Sequence, residues 1–202
     1  VSTIIPNTRV ALSASILAQQ VVQQQARPGA SIQVWHQDVE SGAVTTVRVQ
    51  PEAPLWVELS GWRLLWDEGV RRRVRALRDA SAPRETGGIL VGYFDNKQRR
   101  IYVVDALPPP RDSVGDVTGF IRGVEGVRKH ILEAERRTAG IVTYIGEWHS
   151  HPPGVSARPS SDDERLVSHL ARELARDGYP ALILIVGEGE ERWVCREGES
   201  GL

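Results

Sequence analysis

IVTYIGEWHSHPPGVSARPSSDDE, residues 141–164, holds a strand, a sharp break and a helix start in one run. IVTYIGEWH at 141–149 is an apolar, β-branched run of strand length. Residues two apart in a strand point to the same side, so His149 and His151 face one way at its end and Ser150 the other. Pro152, Pro153 and Gly154 break the strand. The chain returns through a Pro/Gly/Ser loop to a helix N-terminus carrying Ser160, Asp162 and Asp163. Leu166, Leu170 and Leu174 give that helix its apolar face, and Gly178 and Pro180 stop it.

Working outward, GILVGYF at 88–94 and RIYVVDAL at 100–107 read as buried strands joined by a polar turn, and ALILIV and RWVCR as the closing strands. A long loop follows Pro108, Pro109 and Pro110. Ile121, Val124, Val127, Ile131 and Ala134 mark a helix closed near Gly140. Upstream, Ser60 is placed to cap a helix on which Trp62, Trp66, Val70, Val74 and Leu77 recur. Arg71, Arg72, Arg73, Arg75 and Arg78 fall on its polar side, which reads as a solvated face. The tryptophans Trp62, Trp66, Trp148 and Trp193 read as core. This order implies an α/β sandwich around a mixed sheet. Residues 8–26 predict a further helix, residues 31–49 a hairpin around Glu40, Ser41 and Gly42, and residues 51–54 a linker. The expected division is therefore 1–55, helix and hairpin, and 56–202, the main domain.

The chain has 202 residues, 41% hydrophobic and 25% charged, with a formal net charge of -1. That length buries a real core. The charge balance gives no electrostatic reason for binding nucleic acid or an anionic membrane. A single cysteine, Cys195, excludes an internal disulfide and a C-x-x-C pair among these residues. It fits a reducing, cytoplasmic setting. No apolar run approaches a bilayer span, and the first residues lack the pattern of a secretory signal. The absence of Met implies a removed initiator or a piece cut from a longer chain.

Two imidazoles on one face and a carboxylate from the returning helix make three ligands of a metal site, with the fourth position open. Such a site needs a base. Glu147 shares the face of the two histidines, and Glu85 stands just before the first buried strand of the main sheet. The S-x-x-D signature has a structural meaning as well, since it is a helix capping box.

The elements E-T-G-G-I-L-V-G at 85–92, then H-S-H-P at 149–152, then S-x-x-D at 160–163 resemble the JAB/MPN/JAMM zinc metalloproteases. The resemblance covers roughly residues 56–198. YIGEWHSHP, PSSDDE and DGYPALILIVGE are similar to a bacterial branch found beside ubiquitin-like conjugation genes, including peptidases of cyclic-nucleotide antiphage systems. It implies a cytidine-deaminase-like, three-layer MPN sandwich, a mixed β-sheet flanked by helices. It implies one zinc ion held by His149, His151 and Asp163, with Glu85 as general base and Ser160 donating to the developing oxyanion. The loop of residues 152–159 is one residue longer than the usual seven. Keeping the usual count would put Pro159 at the hydroxyl position and Asp162 at the ligand; proline has no hydroxyl, so an insertion preserving Ser160 and Asp163 is preferred. The implied substrate is the amide after the C-terminus of a ubiquitin-like modifier, with activating and conjugating enzymes of the same operon as further partners. A sulfur-carrier or small-molecule amidase and a non-catalytic MPN scaffold are the alternatives on this fold. Residues 1–55 resemble the tail of an adenylating, ThiF-like domain, as in a fusion of activating enzyme and protease.

Overall fold

The structure, a computed structural model, describes residues 32–37, 41–49 and 54–198. The helix expected at residues 8–26 lies outside the described residues, as do most of the expected linker and part of the hairpin turn. The hairpin strands are β1 (Ile32–Gln37) and β2 (Val44–Val49), paired antiparallel with Ile32 opposite Val49. They form a two-stranded sheet of their own.

The main sheet has seven strands. In chain order they are β3 (Pro54–Leu59), β4 (Trp62–Asp67), β5 (Gly87–Asp95), β6 (Arg100–Ala106), β9 (Thr143–Ser150), β10 (Ala181–Val186) and β11 (Glu191–Arg196). Their spatial order is β11-β10-β9-β5-β6-β4-β3. β9 with β10 and β4 with β6 run parallel, and the other neighbours are antiparallel. A short ribbon, β7 (Val114–Gly115) with β8 (Phe120–Ile121), stands apart.

Among the described residues three α-helices make this a three-layer α/β sandwich. α1 (Glu68–Ser81) packs on one face, where Val70 and Val74 meet Leu64, Trp66, Leu90, Trp148 and Leu184. Each such buried valine contributes about 1.5–3 kcal/mol over leaving it exposed. α2 (Val127–Arg137) covers Ile89, Val91, Val104 and Val142 on the other face. α3 (Ser161–Leu174) covers Ile183 and Ile185 on that same face. β10 is buried along its whole length because helices lie over both of its faces. The sheet curls until its outer strands approach: Trp62 Nε1 donates to Glu197 Oε1 at 3.1 Å beside the Arg99–Glu197 ion pair. All four tryptophans expected in the core are buried there. No helix among the described residues is long and apolar enough to cross a membrane.

Three expectations need correcting. The helix expected from Ser60 is a β3–β4 hairpin followed by a helix. Trp62 and Trp66 are four apart, which satisfies one helical turn and two strand repeats equally well. Trp62, Leu64 and Trp66 alternate inward, Gly61 takes φ +77° in the turn, and Asp67 caps α1 by accepting from the Val70 amide at 2.8 Å. Secondly, Ile121 and Val124 precede α2 and are exposed; the helix begins only after Gly126, at φ +75°. Thirdly, three of the five arginines expected on a solvated face of α1 form cross-layer ion pairs. Arg71 and Arg75 reach Glu191 on β11, and Arg73 reaches Asp105 on β6 at 3.0 Å.

Candidate metal centre

The site lies where the C-terminal ends of β9 and β10 meet the start of β5, beneath the N-terminus of α3. His149 sits opposite Gly87 of β5 and Ile185 of β10. It therefore faces the α3 side of the sheet, as Glu147 does. His151 follows just beyond the strand, its backbone amide donating to the Val186 carbonyl at 3.0 Å. Asp163 comes from the first turn of α3. His149 Nε2 is 3.0 Å from Asp163 Oδ1, and His151 Nε2 is 3.5 Å from Oδ2. All three residues are buried, and one ligating atom from each lies within 4.8 Å of the others.

Local chemistry fixes each side chain. Ser160 and Asp163 form a reciprocal capping box: Ser160 Oγ accepts from the Asp163 amide at 3.2 Å, and the Ser160 amide donates to Asp163 Oδ2 at 2.7 Å. The cap thus orients the carboxylate. His151 Nδ1 lies 2.7 Å from the Ser156 carbonyl. A carbonyl only accepts, so Nδ1 carries a proton whether or not Nε2 also does; a hydrogen bond from Nε2 to Asp163 needs a second proton there, and a metal would take that proton's place. Burial disfavours ionisation of Asp163, but hydrogen bonds from His149 and His151 outweigh it and hold its carboxyl below the ordinary range. The bond to Asp163 raises His151, against the opposing effect of burial. Asp162 is exposed and paired with Arg165, away from the histidines.

Glu85 is half-buried at the entry to β5. Burial raises its carboxyl above the ordinary value; the imidazoles of His149 and His151 lower it and the carboxylates of Asp163 and Asp116 raise it again. Glu85 thus feels the charges of all three candidate ligands. Its backbone is clamped from two sides. The Glu85 amide donates to the Asp116 carbonyl of the β7–β8 ribbon at 2.8 Å. A Cβ on Gly115 would fall 2.2 Å from the Glu85 carbonyl oxygen, so the ribbon approaches this closely only because Gly115 has none. On the other side, the Thr86 amide donates to Ser150 Oγ at 3.0 Å, and the Ser150 amide to the Thr86 carbonyl at 2.7 Å. Strand alternation puts Ser150 on the side away from the histidines, and its place between them in H-S-H is the signal the sequence offers for this role. Glu147, the other candidate base, is engaged by Arg122 Nη2 at 2.9 Å.

The residues fit a zinc ion. Two imidazole nitrogens and a carboxylate oxygen are a catalytic zinc donor set with one position left over. A backbone acceptor on the far nitrogen of a ligating histidine is the usual orienting device.

Residues 67–196 match the family described as prokaryotic homologs of the JAB domain. The chain belongs to the prokaryotic JAB family. Among its JAB relatives is a protein of Enterobacter hormaechei subsp. hoffmannii named CD-NTase/cGAS isopeptidase, 39% identical over 108 residues, 52% of this chain and 56% of that protein. Another is the probable metalloprotease y4qB of Sinorhizobium fredii, 31% identical over 121 residues, 58% of this chain and 73% of that protein. A CD-NTase/cGAS isopeptidase of Escherichia coli is 27% identical over 113 residues, 56% of this chain and 67% of that protein. This JAB chain thus spans little more than half the length of the Enterobacter relative. The solution structure of protein DSY2949 from Desulfitobacterium hafniense matches with a TM-score of 0.41 and 23% identity, over 63% of this chain and 77% of that one.

Proposed function

We propose that this JAB domain is a zinc-dependent isopeptidase that hydrolyses the amide after the C-terminus of a ubiquitin-like modifier, in a bacterial conjugation pathway serving antiphage defence. The convergence of His149, His151 and Asp163 beside Glu85 carries the hydrolytic part. The names of the Enterobacter and Escherichia relatives support the isopeptide bond and the CD-NTase setting, and that of y4qB supports metal dependence. The modifier and its activating and conjugating enzymes are the corresponding partners, and the cytoplasm the corresponding compartment.

His149 and His151 would hold the metal through ring nitrogens, and Asp163 would hold it through its carboxylate. Bound there, zinc would supply Lewis acidity, polarising the amide carbonyl and bringing the pKa of bound water down to near neutrality. Glu85 takes the proton from the attacking water at its carboxylate and returns it to the leaving amine. Ser160 Oγ accepts the Asp163 amide hydrogen, which leaves its own O–H hydrogen to donate to the oxyanion that develops on the carbonyl. An extended modifier tail adds to an edge of the β7–β8 ribbon, which stands against the Glu85 backbone.

The test is cleavage of an isopeptide-linked conjugate between a bacterial ubiquitin-like modifier and a target protein. The expected result is cleavage that a chelator stops and zinc restores, and that Glu85→Ala slows by about 10²–10⁴-fold. Equal rates for the intact and Glu85→Ala proteins would overturn the mechanism.

A further inference from the structure

The peptide unit joining Ser156 to Ala157 is hydrogen-bonded at both ends. Its carbonyl accepts from His151 Nδ1–H at 2.7 Å. Its N–H, on a buried residue, donates to Glu190 Oε1 at 2.7 Å. Glu190 belongs to the β10–β11 turn, which its own carbonyl closes by accepting from the Gly187 amide at 2.9 Å. Turn and loop are in close contact here, since a Cβ on Gly187 would lie 3.1 Å from Ala157 N and 3.3 Å from Glu190 Cγ. The result is an unbroken line: carboxylate, amide N–H, carbonyl, imidazole N–H, and the far nitrogen Nε2 that faces Asp163.

We propose that Glu190 is a positioning residue of the metal centre, acting on His151 through this one peptide. Anionic acceptors make stronger hydrogen bonds than neutral ones. A peptide whose N–H is held by a carboxylate presents a more basic carbonyl oxygen, because bonds in a chain polarise one another. That carbonyl then binds the Nδ1 proton more firmly, fixes the ring plane and raises the donor strength of Nε2. Carboxylates that bond directly to a ligating histidine act in this way; here a peptide is interposed. A purely mechanical role for the turn has its own representative close by. Glu188 Oε2 accepts from the Gly154 amide at 3.0 Å and tethers the same loop without touching the Ser156–Ala157 peptide.

The proposal rests on the zinc reading of the site, and its test separates the two. Zinc affinity is measured by competition with a chromophoric chelator, and the His151 Nδ1–H resonance by NMR on the metal-free protein. Glu190→Ala weakens zinc binding by about 3–10-fold, at or below the low end for direct partners because one peptide intervenes. Glu190→Gln keeps an acceptor without the charge and falls between the two. Glu188→Ala leaves affinity unchanged. The Nδ1–H resonance shifts upfield in Glu190→Ala and stays in place in Glu188→Ala. Unchanged affinity and an unmoved resonance in Glu190→Ala would overturn the proposal, and so would an equal loss in Glu188→Ala. An intact protein that binds no zinc refutes the zinc reading instead, and the NMR arm still decides whether Glu190 acts on His151.

Discussion

Replacing Ser150 by alanine isolates one of the two bonds that hold the Glu85 segment against the histidine strand. Ser150 has no exposed surface, and Thr86, whose amide donates to its hydroxyl at 3.0 Å, is almost as deeply buried. Alanine removes the acceptor and leaves the donor, which costs about 1–3 kcal/mol for an unsatisfied buried group. The reciprocal bond from the Ser150 amide to the Thr86 carbonyl survives, so the strand ends remain together. With an m-value of about 2 kcal/mol per molar urea, a loss of about 2 kcal/mol lowers the unfolding midpoint by about 1 M. The assay is urea unfolding of the metal-free protein, which avoids stabilisation by bound ligand. Ser156→Ala is the control: its exposed hydroxyl accepts only from the Arg158 amide at 3.2 Å, so the change stays within about 0.5 kcal/mol. Loosening Thr86 also loosens Glu85, so kcat on an isopeptide substrate falls while KM holds. An unchanged midpoint with an unchanged m-value for Ser150→Ala would refute the reasoning.

Gly87→Ala should cost about 3 kcal/mol or more, since its Cβ would lie 2.3 Å from the Trp148 carbonyl oxygen, a backbone atom, and 2.7 Å from Phe120 Cε1; a thermal melt like that of the parent would contradict this. Glu147→Gln should destabilise by about 1–3 kcal/mol, because Arg122 loses its charged partner, yet keep turnover. Glu85→Gln should do the reverse, and parallel rate and urea measurements on both variants check the pair. Burial pushes the Cys195 thiol from 9.0 up to about 12. The folded state therefore keeps its proton where the unfolded state has lost it, and this contribution to stability is present below about pH 9 and lost as pH rises toward 12. Cys195→Ala should flatten that part of the stability–pH curve, as read by urea unfolding between pH 8 and about 11.

The long strands were legible because helices bury both faces of runs such as ALILIV, which leaves no polar alternation to confuse. The hairpin before α1 was not, because Trp62, Trp66 and Val70 are spaced by four, an interval that suits either period. The β7–β8 ribbon was invisible as well. Its strands are two residues long and sit in a loop where no period develops. Exposed Ile121 and Val124 then passed for the start of a helix face. At the site, H-x-H and S-x-x-D were readable since each is a local geometry, a strand repeat and a helix cap. The bonds that hold them join residues far apart in sequence, Thr86 with Ser150 and Ala157 with Glu190. No local pattern records such pairings. The missing hydroxyl on Pro159, against the usual loop count, favours Asp163 over Asp162, and Asp163 is the one of the two that lies against both histidines.

The central claim is that His149, His151 and Asp163 grip a single catalytic ion. Elemental analysis of zinc-reconstituted, exhaustively dialysed protein tests it most directly, with the Asp163→Ala variant alongside. Zinc is expected in equimolar amount with the intact chain and almost absent from the variant. An intact chain without zinc, or a variant that retains it in full, would contradict the account.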